Sequence, residues 1–240
     1  MPNPVTLLGV AVLAYLLGSF PAGYLLARLW GVNVLEKGSG RTGGTNVFRS
    51  AGILPALITG AIDVGKGALA VWLAGQLVPG DGQATAQVLA GAAVILGHNH
   101  SVFLKFRGGA GVGTSLGALG AVYWPAALAL VVLLLAIIAL TRYASLGSLV
   151  VITAMPIILL VLAGMGLLAG TYVVYGLLAW AIVVYSHRPN IRRLIAGTEV
   201  TSSVIGPSSS SAQNNSSWAA AVKLATTSQP TSPNAKATTT

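Results

Sequence analysis

The sequence predicts an all-α, polytopic integral membrane helix bundle, and three observations predict it. Of 240 residues, 55% are hydrophobic and only 7% are charged, whereas an ordinary soluble domain carries about a quarter charged residues. Mean hydropathy is +0.81. Apolar runs near the roughly 20 residues that a 30 Å hydrocarbon core requires recur along the chain. So few charges cannot cover a water-soluble globule of this size, and so much apolar content excludes a disordered chain.

The first run, residues 5–27, has no basic segment before it and contains Gly18 and Pro21. It reads as an anchor rather than a cleaved signal peptide. A polar stretch over 28–50 precedes a second run, 52–78, which carries Asp63 and Lys66. The loop around Asp81 holds no cation. A third run, 84–104, ends in a turn bearing His98 and His100. The long run 114–140 is interrupted at Tyr123-Trp124-Pro125, and residues 145–186 are long enough for two spans with a glycine-rich break near 164–170.

The cations fix the topology. They cluster in 28–49, in 105–107, at Arg142 and in 187–193, and loops rich in Lys and Arg stay cytoplasmic. Every cluster falls inside only if the run 114–140 divides at Tyr123-Trp124-Pro125. The reading is seven spans, with six as the alternative, an outside N-terminus and a cytoplasmic C-terminus. From about residue 200 the chain turns into Ser, Thr, Asn, Gln, Ala and Pro without period. The organisation is therefore a membrane domain over 1–199 and a disordered cytoplasmic tail over 200–240.

Thirteen Lys and Arg oppose four carboxylates, Glu36, Asp63, Asp81 and Glu199, for a net charge of +9. A surplus of that kind suits an anionic membrane surface, nucleic acid or an anionic substrate. Cysteine is absent, which removes disulfides and thiol chemistry. Four scattered acids leave little for a carboxylate-rich Mg²⁺ cluster.

Three clusters carry candidate chemistry. The first runs from Gly38 to Arg49 and includes Ser39, Gly40, Thr45 and Asn46. Glycines let backbone N–H groups converge, hydroxyls and amides add donors, and Arg49 offers a planar fork suited to phosphate. Taken alone, such a loop reads more readily as a flexible positive-inside segment than as a phosphate site. The second runs from Gly97 to Thr114, with His98, Lys105, Arg107, Gly108, Gly109 and Gly111. A cation followed by glycines, with a helix opening at Thr114, cradles an anion at a helix N-terminus. No Gly-Lys-Ser/Thr follows, so it is not a Walker loop. His98 reads as a general base, a phosphate donor or a bundle hydrogen bond. The third, Ser186 to Glu199, reads in part as a basic juxtamembrane helix against anionic headgroups, which does not account for His187 and Asn190. Asp63 and Lys66 stand three apart and can pair inside the bundle.

Together the clusters resemble the bacterial acyl-phosphate:glycerol-3-phosphate acyltransferases, the PlsY family. That family's first motif is similar to Gly-Ser-Gly-Asn-x-Gly-Ala-Thr-Asn-Val with an Arg two residues on, matched by residues 38–49 apart from Arg41 and Gly44. The second motif covers 97–114, where Ser101 replaces a Pro, Arg107 a Lys and Ala110 a second Lys. The third matches at every fixed position from His187 to Glu199. The resemblance runs from about Ser19 to Glu199.

It implies acyl transfer from acyl phosphate to the sn-1 hydroxyl of glycerol 3-phosphate, giving lysophosphatidate and phosphate, the first step of phospholipid synthesis. By the same resemblance, Ser39, Arg49, His98, His187 and Asn190 are the expected catalytic residues. Gly40, Thr45, Asn46, Lys66, Lys105, Arg107, Gly108, Gly109 and Gly111 are expected to bind substrate. No cofactor or metal is expected. The implied enzyme is a multi-pass, monomeric protein of the bacterial plasma membrane with its site on the cytoplasmic face, meeting membrane lipids and no nucleic acid. Substrate assistance is the expected source of the base, because no His–carboxylate pair is visible: the fifth residues after His98, His100 and His187 are Phe103, Lys105 and Arg192. The alternative from another class is a transporter or channel for an organic phosphate.

Overall fold

The computed structural model describes residues 3–201, so the tail read from sequence lies almost wholly outside the described residues. The described chain is helical: α1 Pro4–Ser19, α2 Ala22–Leu29, α3 Gly44–Ala51, α4 Ile53–Leu77, α5 Gln83–Asn99, α6 Val112–Thr141, α7 Ala144–Gly164, α8 Thr171–Ser186 and α9 Arg188–Ile195. Among the described residues, four stretches are long and apolar enough to cross a membrane. They are Pro4–Leu29 taken across its break, Ile53–Leu77, Val112–Thr141 and Ala144–Gly164, with Thr171–Ser186 a shorter apolar helix.

Three boundaries depart from the sequence reading. The first apolar run is two helices, because Phe20 adopts ψ 118° ahead of Pro21; a residue before proline is driven from helical geometry into extended backbone. The third helix stops at Asn99 rather than running to Leu104. Beyond it Lys105 and Phe106 take positive φ, and Ser101 bridges to Arg107, which closes a tight loop in place of further helix. The helix expected to open at Thr114 opens at Val112, after Gly111 at φ +90°.

The interruption at Tyr123-Trp124-Pro125 is a reversal. Tyr123 leaves helical geometry at φ −153°, ψ 88° inside α6. A Cβ placed on Gly120 would lie 3.6 Å from that of Ala127, although seven residues of straight helix rise about 10 Å. Val112 and Gly113 at the start of α6 therefore line the same cavity as Leu134 and Ile138 near its end.

Glycines set how closely the helices approach. Gly18 of α1 meets the Val94 carbonyl of α5, and Gly97 of α5 meets the Tyr15 carbonyl of α1; an added Cβ would come within 2.1 Å of either oxygen. Gly67 of α4 and Gly117 of α6 form a second such pair, against the carbonyls of Thr114 and Val64. Small residues on facing helices let backbones pack directly, which is how helices associate where lipid is as apolar as the side chains. The core is filled by Ile95, Leu119, Leu130, Ile152, Met155, Leu159 and Tyr175, each essentially inaccessible. Exposed Leu and Val on α1, α6, α7 and α8 are the outward face expected of a bundle in lipid. This packing brings the ends of α5 and α8, the starts of α6 and α7 and the return of α6 together at one end of the bundle.

Candidate functional site

At that end lies a cavity of about 230 Å³. Ser39, Arg49, His98, His187 and Asn190, read from three separate stretches of sequence, all line it. Thr45, Asn46 and Gly111 line it too, as do Arg41, Asp63, Ala110, Ser145, Ser148 and Glu199.

The first cluster is organised by Asn46. Its Oδ1 accepts from the Ser39 amide at 3.0 Å, and its Nδ2 donates to the carbonyls of Val34, Lys37 and Arg41 at 3.1, 3.1 and 2.8 Å. The asparagine side chain, expected to bind substrate, is thus committed to shaping the loop. Gly38 and Gly40 take positive φ within it, a conformation that costs glycine least. Arg49 follows on α3, its Nη2 donating to the Val200 carbonyl at 2.9 Å.

The second cluster meets the first through backbone, the Thr42 amide donating to the Gly108 carbonyl at 3.3 Å. Ala110 to Gly113 bring the start of α6 to the cavity wall, where helix-end N–H groups lack intrahelical partners. The remaining predicted binders lie off the cavity. Arg107 is exposed and donates to the Leu35 carbonyl at 2.8 Å. Gly40, Lys105, Gly108 and Gly109 do not line it, and Lys66 is turned to a buried ion pair.

That ion pair is part of a network which the sequence half reveals. Lys66 Nζ lies 2.9 Å from Asp63 Oδ1 and donates to the Phe20 carbonyl at 3.2 Å. The same Asp63 oxygen lies 3.4 Å from His98 Nδ1. The Asp–Lys spacing of three was legible, but the His–carboxylate contact was not, since it joins α4 to α5. His98 Nε2 faces Gly109, where a Cβ would come within 2.1 Å. The ring is therefore clamped between a carboxylate and backbone.

At the third cluster, His187 Nδ1 meets the Val183 carbonyl at 2.8 Å. A carbonyl only accepts, so Nδ1 carries the proton and Nε2 is an acceptor. Burial, opposed in part by that hydrogen bond and reinforced by the Arg41 charge, holds the imidazole below its usual pKa, so the neutral form prevails at physiological pH. Asn190 Nδ2 donates to Glu199 Oε1 at 2.9 Å, and Arg193 Nε donates to Glu199 Oε2 at 2.8 Å. Burial alone would raise the Glu199 carboxyl, but hydrogen bonds from Asn190 and Arg193 hold it below its usual range. Arg41 reaches across from the first cluster, donating from Nη1 to Asn190 Oδ1 at 3.3 Å and from Nη2 to the Ser186 carbonyl.

Arg41, Glu199 and Ser145 are residues that sequence reasoning did not place among the site candidates. The signal for Arg41 was its departure from the family pattern, and for Glu199 its fixed place at the end of the third motif. Ser145 carried no signal. Among the described residues, no three His, Asp or Glu side chains converge as a metal-ligand set.

A family model described as glycerol-3-phosphate acyltransferase matches residues 8–197. The chain belongs to the glycerol-3-phosphate acyltransferase family. This acyltransferase is 45% identical over 200 residues to the glycerol-3-phosphate acyltransferase of Parasynechococcus marenigrum (strain WH8102), covering 83% of this chain and 91% of that one. It is 43% identical over 190 residues to that of Carboxydothermus hydrogenoformans, covering 79% and 93%. Its fold resembles the crystal structure of PlsY (YgiH), an integral membrane glycerol 3-phosphate acyltransferase, in its glycerol 3-phosphate form. The TM-score is 0.72 at 32% identity, over 81% of this chain and 94% of that one. The lysophosphatidic acid form of the same protein matches with the same score. The transporter alternative gives way to a membrane-embedded acyltransferase of phospholipid synthesis.

Proposed function

We propose that the chain transfers an acyl group from acyl phosphate to the sn-1 hydroxyl of glycerol 3-phosphate, without a metal and with a substrate phosphate as base. The observation that carries this reading is the convergence of Ser39, Arg49, His98, His187 and Asn190, from three distant stretches, on one cavity. Phosphate is a competent leaving group, so no thiol or serine ester intermediate is required. The hydroxyl oxygen bonds to the acyl carbon, the acyl–O–phosphate bond breaks, and the hydroxyl proton passes to a phosphate oxygen. Lysophosphatidate and inorganic phosphate result.

The polar wall suits this division of labour. Arg49 with Ser39 and Thr45 holds one phosphate, because a guanidinium fork matches phosphate oxygens. His187, neutral and with Nε2 accepting, orients the hydroxyl beside Asn190. Leu134 and Ile138 give the cavity an apolar wall along which the acyl chain leaves toward lipid. Both cavity carboxylates already face cations, Asp63 with Lys66 and Glu199 with Arg193, so neither is disposed to ligate a divalent ion. His98 is held by a carboxylate that Lys66 already neutralises, with its other nitrogen against Gly109, and it serves as the floor of the site. The base is then left to a phosphate oxygen, whose second pKa lies near neutrality.

The same reading places the site on the cytoplasmic face of the plasma membrane in a monomer. With α6 doubling back, the chain crosses seven times from an outside N-terminus. Supplying glycerol 3-phosphate with either acyl phosphate or an acyl thioester tests the donor. Acyl phosphate is expected to support turnover and the thioester not to. Turnover with thioester alone would overturn the reading.

A further inference from the structure

The two substrates of that reaction bring two phosphate groups, and the cations Arg107, Lys66 and Lys105, expected to bind substrate, are not on the cavity wall. Among the described residues, the Lys and Arg side chains that do line it are Arg41 and Arg49. We propose that Arg41 is the cation of the second phosphate, a binding residue for the reaction as read above, on which this inference rests.

Three observations converge on it. Arg41 is partly buried in the wall yet forms no ion pair within 4 Å among the described residues, whereas Lys66 has Asp63 and Arg193 has Glu199. A buried charge without a counter-charge is costly, and an arriving anion removes that cost. Glu199 attracts Arg41 from beyond that distance, but it is already paired with Arg193 and bonded by Asn190, and the Arg193 charge opposes that attraction. Second, two of the five guanidinium N–H donors are used, on Asn190 Oδ1 and the Ser186 carbonyl. Those bonds aim the group at the His187–Asn190 corner and leave donors for a ligand. Third, the adjoining Thr42 amide is tied to Gly108, so the backbone carrying Arg41 runs beside the backbone carrying Ala110, and both residues line the cavity. Relative to the family pattern, these are the positions where a neutral residue becomes a cation and a cation becomes neutral. The positive charge has changed strands across one seam.

The rival role is a staple that merely joins the first loop to the α8–α9 junction through Asn190 and Ser186. A cation restored from Ala110 supplies charge to the cavity without supplying that staple, so the two roles separate. The full chain in detergent is compared as wild type, Arg41→Asn, and Arg41→Asn with Ala110→Lys. KM for acyl phosphate and for glycerol 3-phosphate are measured separately, beside the shift in unfolding temperature produced by glycerol 3-phosphate and by inorganic phosphate.

Arg41→Asn is expected to raise KM for one substrate by ~10-fold or more, the scale of a lost charge-assisted hydrogen bond, and to shrink one ligand's thermal shift. Ala110→Lys in that background is expected to recover most of both, and the substrate affected identifies the phosphate. Unchanged KM and thermal shifts in Arg41→Asn overturn the inference. So does a loss that Ala110→Lys leaves untouched while the unfolding temperature of the unliganded protein stays near wild type. If Arg41→Asn fails to fold, Arg41→Lys takes its place, with weaker binding expected from the lost planar fork; unchanged binding in Arg41→Lys and no gain from adding Ala110→Lys overturn it. An Arg41-dependent thermal shift in a protein inactive with acyl phosphate sinks the donor reading and leaves this inference standing.

Discussion

Asp63→Ala is expected to destabilise the protein by about 3–5 kcal/mol, the cost of leaving one partner of a buried ion pair alone. Asp63 and Lys66 are 5% and 7% exposed, and α4 carries both about 15 Å or more from its start. Without the carboxylate, Lys66 Nζ keeps only the Phe20 carbonyl, and His98 loses its Nδ1 partner. The unfolding midpoint in detergent should fall steeply. Asp63→Ala combined with Lys66→Met should recover much of the loss, because an apolar pair of similar volume removes the unpaired charge rather than leaving it. A single variant that unfolds like wild type would mean the network contributes nothing to the fold.

Arg49→Ala is expected to lower kcat/KM by about two orders of magnitude, the scale at which removing one preorganised charge donor is felt in acyl transfer. Arg49 stands on the short helix that Gly43 and Gly44 open beside the cavity, and its bond to Val200 lies at the exposed edge. The loss should appear in kinetics, read beside the unfolding temperature of each variant. Arg49→Lys should recover only part, since an ammonium keeps the charge but not the bidentate geometry. Full activity in Arg49→Ala would reassign the residue to holding the segment after α9.

The fold class was legible because lipid imposes a composition: 55% hydrophobic residues and 7% charged leave no other reading. The interruption at Tyr123-Trp124-Pro125, where Tyr123 leaves helical geometry, was legible as well, since the apolar run gives way there to aromatics and a proline. What escaped was local. Helix ends at Asn99 and Val112 depend on positive φ at Lys105, Phe106 and Gly111, and glycine spacing alone does not say which residue leaves the helix.

Ser39, Arg49, His98, His187 and Asn190 meet at one cavity because a motif presents polar groups where apolar helices end. Arg107, expected to bind substrate, stays off the cavity wall for an equally definite reason. A motif records which residue type stands beside the glycines, not which way a long side chain turns, and here it turns to the Leu35 carbonyl. The contact of His98 with Asp63 joins positions 35 apart, so no spacing rule reports it. Asn46 shows the converse: its motif position suggested a ligand, and its four partners show a residue that shapes the loop.

The most direct measurement is the stoichiometry of products from the purified full chain given acyl phosphate and glycerol 3-phosphate in the presence of EDTA. One lysophosphatidate, acylated at the sn-1 position, is expected for each inorganic phosphate released, at a rate that EDTA does not change. No lysophosphatidate above a protein-free control, from protein whose unfolding transition shows it to be folded, would contradict it.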